Sequence, residues 1–223
     1  EEIRAIRHED LVAFFRARYA PGNAVLAVAG AVEPEGFWRT IETDWAALPA
    51  GPAVPRNRAE PPAAPPTPRY TRHDARLRGE AIFVRSWQAP SMTWGEVRHS
   101  EPLEVLRHLL GGGAGSRLHR ALVESGLALN TGAAYDGDSA GATDFDISAT
   151  PRRDVPLERV EEAMAATVKR LLDEGGPTEA EVARSIRQMT AGALLALDGL
   201  GAAPRMIGGA LAIGLPIETV EFW

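Results

Sequence analysis

Residues 127–150, LALNTGAAYDGDSAGATDFDISAT, contain two strand patterns separated by a turn. In residues 143–150 apolar side chains alternate with polar ones, which is the pattern of a strand with one buried and one solvated face. The intervening DGDSAG segment is rich in Asp and Gly, the residues that tight turns favour. The sequence therefore predicts an antiparallel hairpin with strands over residues 127–135 and 143–150.

Two long helices are predicted after the hairpin. Residues 157–174 carry apolar side chains at steps of three and four, and Gly175-Gly176 is typical of a helix end. Thr178 and Glu181 have the spacing of a capping box, which predicts the start of a second long helix with Val182, Ile186, Met189, Ala193 and Leu197 facing inward. Asp198-Gly199 interrupts this helix before a further helical stretch.

Shorter elements are predicted before the hairpin. The Val-rich run AVLAVAGAV at residues 24–32 predicts a strand buried on both faces. Two more strands are predicted over residues 70–74 and 80–88, the latter with both faces at least partly covered. Helices are predicted over residues 9–18, from Pro34 to about residue 48, over residues 96–110, and over residues 117–124 with Ser116 as N-cap. The expected fold is α+β, a mixed and mostly antiparallel sheet with helices packed on one face.

The distribution of proline predicts how the chain is organised. Eight of the 17 prolines fall in residues 49–68, a segment that cannot join a helix interior or a central strand. We expect a helix-strand-helix lead-in over residues 1–48, a connector over 49–68 and the main α+β sandwich over 69–223, all within one structural domain. The chain starts at Glu1 and stops within an apparent helix at Trp223, so we expect a piece of a longer protein, truncated at both ends.

Composition excludes several classes of function. The 223 residues carry a formal net charge of -6, which argues against a nucleic-acid partner. The sequence contains no cysteine, so disulfides, thiolate metal sites and cysteine nucleophiles are excluded. There is no apolar run of 18 residues, and no membrane span is predicted. Periplasmic and cytoplasmic locations both remain open.

No catalytic constellation is visible in the residues themselves. The five histidines lack the spacing of a zinc-binding H-E-x-x-H or H-x-x-E-H helix, although His108 and His119 flank a Gly-rich segment and could meet in space. That segment, GGGAGS at residues 111–116, has no following Lys and comes after a helix, which favours a helix-to-helix turn over a phosphate-binding loop. The aspartates around the hairpin fit turn chemistry and a solvated strand face.

Three segments resemble the pitrilysin/insulinase zinc metallopeptidases, the family that includes the mitochondrial processing peptidase. They are HEDLVAFFRARYAPGNAVLAVAGAV at residues 8–32, LLGGGAGSRLHRALVESGLAL at residues 109–129 and GPTEAEVARSIRQM at residues 176–189. Their order and spacing match the family over almost the whole chain. The resemblance is to the second half-unit of such a peptidase, which lacks the H-x-x-E-H zinc motif.

The resemblance implies a function for the parent protein. The parent is expected to be a zinc-dependent endopeptidase that degrades or processes peptides, with zinc in its upstream half. This chain is expected to be inactive by itself, with no catalytic, cofactor-binding or metal-binding residues, and to form part of the chamber wall. The implied partners are a zinc-bearing half-unit in the same or a partner chain and a peptide substrate; a homodimer is left open. The alternative is a domain of a non-catalytic scaffold subunit of the same family.

One departure from the family pattern limits what can be carried over. Many members have an Arg and a Tyr seven positions apart that help to hold the substrate carbonyl. The corresponding positions here are Leu122 and Leu129, so that role is not assigned to them. The ALVESGLAL form resembles the chain that supplies the metal site, whose partner supplies the Arg and the Tyr, and it also fits a subunit that is wholly non-catalytic. The Gly111–Gly115 loop lies where the non-catalytic subunit of the processing peptidase has its Gly-rich substrate loop, and a direct contact with substrate is one further expectation.

Overall fold

The computed structural model describes residues 2–51, 76 and 81–221. Eight α-helices lie in this part of the chain: α1 (Glu2–Ala5), α2 (His8–Arg18), α3 (Pro34–Ala46), α4 (Ser100–Gly111), α5 (Leu157–Asp173), α6 (Glu179–Ala196), α7 (Ala202–Ile213) and α8 (Glu218–Glu221). Its three strands are β1 (Phe83–Ala89), β2 (Ala128–Tyr135) and β3 (Thr143–Pro151). The predicted strand over residues 70–74 and residues 52–68 of the predicted connector lie outside the described residues, and the predicted domain boundaries stay predictions.

The described residues divide into two compact units. Residues 2–51 and 196–221 form the helical unit, and residues 76 and 81–195 form the sheet unit. No described helix has both the length and the apolar character needed to cross a bilayer.

The sheet of the sheet unit is antiparallel, with strand order β1-β3-β2. The hairpin of β2 and β3 confirms the prediction from residues 127–150, and its register pairs Tyr135 with Phe145 and Ala133 with Ile147. Strand β3 is central, so its buried side chains meet residues of both neighbours. The α+β fold expected from the sequence is confirmed, with helices on one side of a small antiparallel sheet.

The core lies between this sheet and its helices. Phe145, Ile147 and Ala149 of β3 are buried against apolar side chains from the helical layer: Leu109, Leu110, Leu118, Leu122, Val160, Met164 and Leu171. On α5 the buried positions are spaced as the sequence predicted, because Val160, Met164 and Leu171 fall on one helical face. Gly175 and Gly176 end this helix with positive φ values, as expected.

Several local predictions were wrong. Residues 24–32 are not assigned to a strand, and their valines are 42–45% exposed. Strand β1 is mostly exposed on both faces, because in the described residues it lies at the sheet edge beside β3 alone. On α6 only Ser185 is buried, whereas Ile186, predicted to face inward, is about half exposed, and so is Leu197, which lies just beyond the end of α6. An apolar pattern identifies a helix face without showing that a neighbour covers it.

Candidate functional site

The sheet presents one uncovered face within the sheet unit. Side chains that alternate with the buried set point to the side opposite the helices. They are Val84, Ser86 and Gln88 on β1, Asn130, Gly132 and Ala134 on β2, and Asp144, Asp146 and Ser148 on β3. Each of them is exposed or half-buried, and none belongs to the core cluster. We call this surface the open face. Its side chains on β2 project little from the sheet at Gly132 and Ala134.

Carboxylates occupy the centre of the open face. Asp146 pairs in register with Ser86 on one side and with Ala134 on the other. Its Oδ1 atom is shielded from solvent and has no hydrogen-bond partner among the described residues. A shallow depression at the hairpin end of this face is lined by Ala134, Tyr135, Asp136, Thr143, Asp144 and Asp146. The exposed carboxylate of Asp144, two residues before Asp146 on the same face, therefore offers hydrogen-bond acceptors to a donor from outside the sheet unit.

The loop after β1 holds the hairpin end of the sheet in place. The Tyr135 hydroxyl donates to the Pro90 carbonyl at 2.6 Å, and the Met92 N–H donates to the Gly137 carbonyl at 2.9 Å. The Thr93 hydroxyl donates to the Ser139 carbonyl at 3.0 Å. Burial raises the pKa of the Tyr135 hydroxyl, which keeps it protonated as a donor. These bonds connect two loops that are more than 40 positions apart in sequence.

The Gly-rich loop follows α4 directly and depends on glycine at specific positions. A Cβ on Gly111 would lie 2.2 Å from the Ala133 nitrogen, so the end of α4 rests directly on the backbone of β2. Gly113 has φ +99°, a conformation that favours glycine. Ser116 is confirmed as the N-cap, because its Oγ accepts the His119 N–H at 3.4 Å. Contact of this loop with substrate stays a prediction.

The helix after the loop differs from the prediction. Residues 117–118 are α-helical, but His119–Val123 form a π turn in which the Glu124 N–H donates to the His119 carbonyl at 3.2 Å. The Ser125 hydroxyl donates to the Ala121 carbonyl at 2.7 Å, and the Leu127 N–H donates to the Leu122 carbonyl. The two main-chain bonds each span five residues, so they close a wider ring than an α-helix has. The sequence showed a helix here but not its type.

Arg117 joins this turn to two helices. Its guanidinium donates to both carboxylate oxygens of Glu181 at 2.8 and 2.9 Å, and to Glu174 at 2.7 Å. The side chains of Arg117 and Glu181 are each only 13% exposed. Hydrogen bonding from Arg117 lowers the pKa of Glu181 to about 2, and the same bonds raise the pKa of Arg117. Neither residue was singled out for this pairing from sequence.

Glu181 also completes the predicted capping box at the start of α6. Its Oε2 accepts the Thr178 N–H at 3.0 Å, while the Thr178 Oγ1 accepts the Glu181 N–H at 3.3 Å. One carboxylate therefore both caps a helix and binds a guanidinium.

The two positions that correspond to the substrate-holding pair of relatives lie in different environments. Leu122 is fully buried in the core. Leu129 is 43% exposed and lies at the β-bulge between Ala128 and Asn130, where the register of β2 with β3 shifts. Leu122 therefore stabilises the fold, and only Leu129 presents a side chain to the surroundings.

The described histidines do not form a zinc site. His8 and His99 are exposed at helix starts, whereas His108 and His119 are half-buried on either side of the Gly-rich loop. Within residues 2–51, 76 and 81–221, no three His, Asp or Glu side chains are grouped so that they could hold a metal ion. The described residues thus offer no ligand set for zinc, and no chemical step through zinc is assigned to them; the absence of catalytic residues stays a prediction.

Residues 5–189 match the family described as the peptidase M16 inactive domain. The chain belongs to this family. The resemblance to the half-unit of pitrilysin-type zinc peptidases that lacks the zinc motif is therefore confirmed. No curated protein matches the sequence.

Solved structures show the same M16 fold. A protease from Helicobacter pylori superposes with a TM-score of 0.83 and 18% identity, over 99% of this chain and 52% of that one. The peptidase M16 inactive domain from Pseudomonas fluorescens superposes with a TM-score of 0.72 and 22% identity, over 99% of this chain and 50% of that one. This chain spans about half the length of these two relatives.

Proposed function

We propose that this M16 inactive domain is the non-metal-binding half-unit of a zinc-dependent endopeptidase that degrades or processes peptides, and that it forms part of the wall of the peptide chamber. Its partner is a zinc-bearing half-unit in the same chain or in a second one, which supplies the metal and its chemistry. The contribution of this chain is to enclose and contact the peptide.

The open face carries this proposal. Helices cover one side of the sheet, whereas the other side has small and polar side chains on all three strands. The carboxylate of Asp144 is exposed on this side. A peptide backbone and its polar side chains could supply donors there, because an extended peptide has many free N–H groups. Small residues such as Gly132 and Ala134 leave room for it.

The absence of cysteine allows a direct test. Single cysteines at Ser86 and at Ala134 place a reactive group on the open face, and Lys169→Cys places one on the exposed side of α5. Each variant, labelled with a photocrosslinker and combined with the zinc-bearing half-unit, is irradiated with a peptide substrate. Crosslinks from the open-face positions but not from α5 support the proposal. Equal yields at all three positions would contradict it.

A second candidate is a domain of a non-catalytic scaffold subunit of the same family. It is favoured by one observation, the loss of the substrate-holding pair, because Leu122 is buried and neither Leu122 nor Leu129 can hydrogen-bond to a carbonyl. In the crosslinking experiment this scaffold would bind its partner half-unit without any peptide crosslink. An intact H-x-x-E-H motif in the partner half, together with peptide cleavage by the assembled protein, would exclude it.

A further inference from the structure

A cleft opens in the helical layer of the sheet unit, and the proposed function does not use it. Its lining combines basic and acidic side chains with two smaller ones: Arg117, Arg120, Ala121, Thr167, Arg170, Glu174 and Glu181. It lies where the turn after the Gly-rich loop meets α5 and the start of α6. Three guanidiniums face two carboxylates there, in a protein whose net charge is negative.

The carboxylates of the cleft are engaged mainly by one of these arginines. Arg117 binds both oxygens of Glu181 and one oxygen of Glu174. Arg120 approaches Glu181 only to 3.8 Å, beyond hydrogen-bond distance, and its side chain is 50% exposed. Arg170 is also exposed, and among the described residues the ion pairs of Glu174 and Glu181 are with Arg117 and Arg120, not with Arg170. The cleft therefore has guanidinium donors that its own carboxylates do not satisfy.

The backbone at the cleft is irregular. Arg120 lies within the π turn His119–Val123, which inserts a wider turn into an otherwise short helix. Such turns are less stable than α-helix and occur frequently at functional sites. The hydrogen bonds between Arg117 and Glu181 fix the start of this helix, and Arg120 lies three residues further along it.

We propose that the cleft binds an oxyanion between Arg120 and Arg170. A guanidinium presents parallel N–H donors that match the oxygens of a carboxylate or a phosphate, and two guanidiniums beside one cleft can share one such group. In this proposal Arg117 stays bound to Glu174 and Glu181, and these bonds hold the base of the cleft in place. This site lies in the helical layer, opposite the open face, so it does not depend on the proposed peptide chamber.

The test uses the full chain and three salts at equal ionic strength. Inorganic phosphate, acetate and chloride are titrated while the Nε–Hε resonances of the arginines are followed by NMR. We expect saturable shifts of Arg120 and Arg170 with phosphate or acetate, and none with chloride. A response to phosphate alone would identify a tetrahedral oxyanion, and a response to both would identify a general carboxylate and phosphate site.

Variants locate the binding. Arg120→Gln and Arg170→Gln should each weaken binding by about tenfold, the effect of losing one charged hydrogen-bond donor. Arg187→Gln, on the exposed surface of α6 and outside the cleft lining, is the matched control and should leave binding unchanged. Equal shifts with chloride, or equal losses in all three variants, would show general ion screening and overturn the proposal.

Discussion

The guanidinium of Arg117 and the carboxylate of Glu181 form two parallel hydrogen bonds across 64 positions of sequence. Both side chains are mostly buried, so the bonds are little screened by solvent. We expect Arg117→Ala to lower the free energy of unfolding by about 2–3 kcal/mol, since Glu181 then loses its charged donors while its side chain stays mostly buried. Urea denaturation followed by circular dichroism measures this loss.

A surface ion pair provides the control for Arg117. Lys169 and Asp173 on α5 are 73% and 60% exposed, and their contact is therefore screened by water and salt. Lys169→Ala should change the free energy of unfolding by less than about 0.5 kcal/mol. Equal losses in the two variants would mean that Arg117 does not act as a structural link.

Acid should weaken the ion pair between Arg117 and Glu181. The folded pKa of Glu181, about 2, lies below the usual value of 4.5 for a glutamate, so its stabilisation is fully present above about pH 4.5. It is lost as the pH falls from there through about 2, because the unfolded chain takes up the proton first. Glu181→Gln keeps a side chain that can complete a capping box but cannot titrate. Its stability should therefore fall less steeply over this range than that of the unsubstituted chain.

The glycines of the loop should differ in how they tolerate substitution. Gly111→Ala forces a Cβ to within 2.2 Å of the Ala133 nitrogen, so α4 must move away from β2. We expect a loss of about 2–4 kcal/mol, as for other overpacked core positions. Gly115→Ala meets open space without a positive φ, and should be neutral or stabilise the protein by up to about 1 kcal/mol. Thermal unfolding of both variants checks this, and similar Tm values would contradict the close packing of α4 on β2.

Local sequence patterns predicted those elements whose signal lies within a few residues. The hairpin followed from alternation and turn residues, and the Thr178–Glu181 capping box followed from one spacing. The prediction of a buried strand over residues 24–32 was wrong, because an apolar, Val-rich composition indicates such a strand only if neighbouring strands cover it. The π turn could not be predicted, since its residues have the same spacing preferences as an α-helix.

Site geometry was less predictable than the fold. The alternation of residues in β3 predicted that one of its faces is polar. In the structure β3 pairs with β1 on one side and β2 on the other, so this polar face lies at the centre of the open face. Alignment identified Leu122 and Leu129, but only the structure shows that one is in the core and the other at a bulge. The pairing of Arg117 with Glu181 joins distant segments, and no local pattern reports such a contact.

The histidine beneath the Gly-rich loop should resist protonation. His108 is half-buried, its Nδ1 has no hydrogen-bond partner among the described residues, and its ring lies against Gly112. Burial lowers its pKa, and the nearby positive charges of Arg107 and Arg184 lower it further. An NMR titration should give a value below 6.5, and Arg184→Gln should raise it. A value at or above 6.5 in the unsubstituted chain would contradict this environment.

The same histidine has a consequence for stability. Because its folded pKa lies below its unfolded one, its stabilising contribution is present above about pH 6.5 and is lost as the pH falls through the folded value. His108→Gln removes the titration while keeping a polar side chain of similar size. Its free energy of unfolding should therefore decline less between neutral and mildly acidic pH, which denaturation series at several pH values would measure.

Leu122 and Leu129 should differ in how well they tolerate the Arg and the Tyr found at these positions in relatives. Leu122 is fully buried, so Leu122→Arg places a charge in the core without a partner and should cost more than about 4 kcal/mol. Leu129→Tyr substitutes an exposed side chain at a bulge and should change stability by less than about 1 kcal/mol. Chemical denaturation of the two single variants tests this difference. A stable, folded Leu122→Arg protein would contradict this prediction and show that the core rearranges to accommodate an Arg.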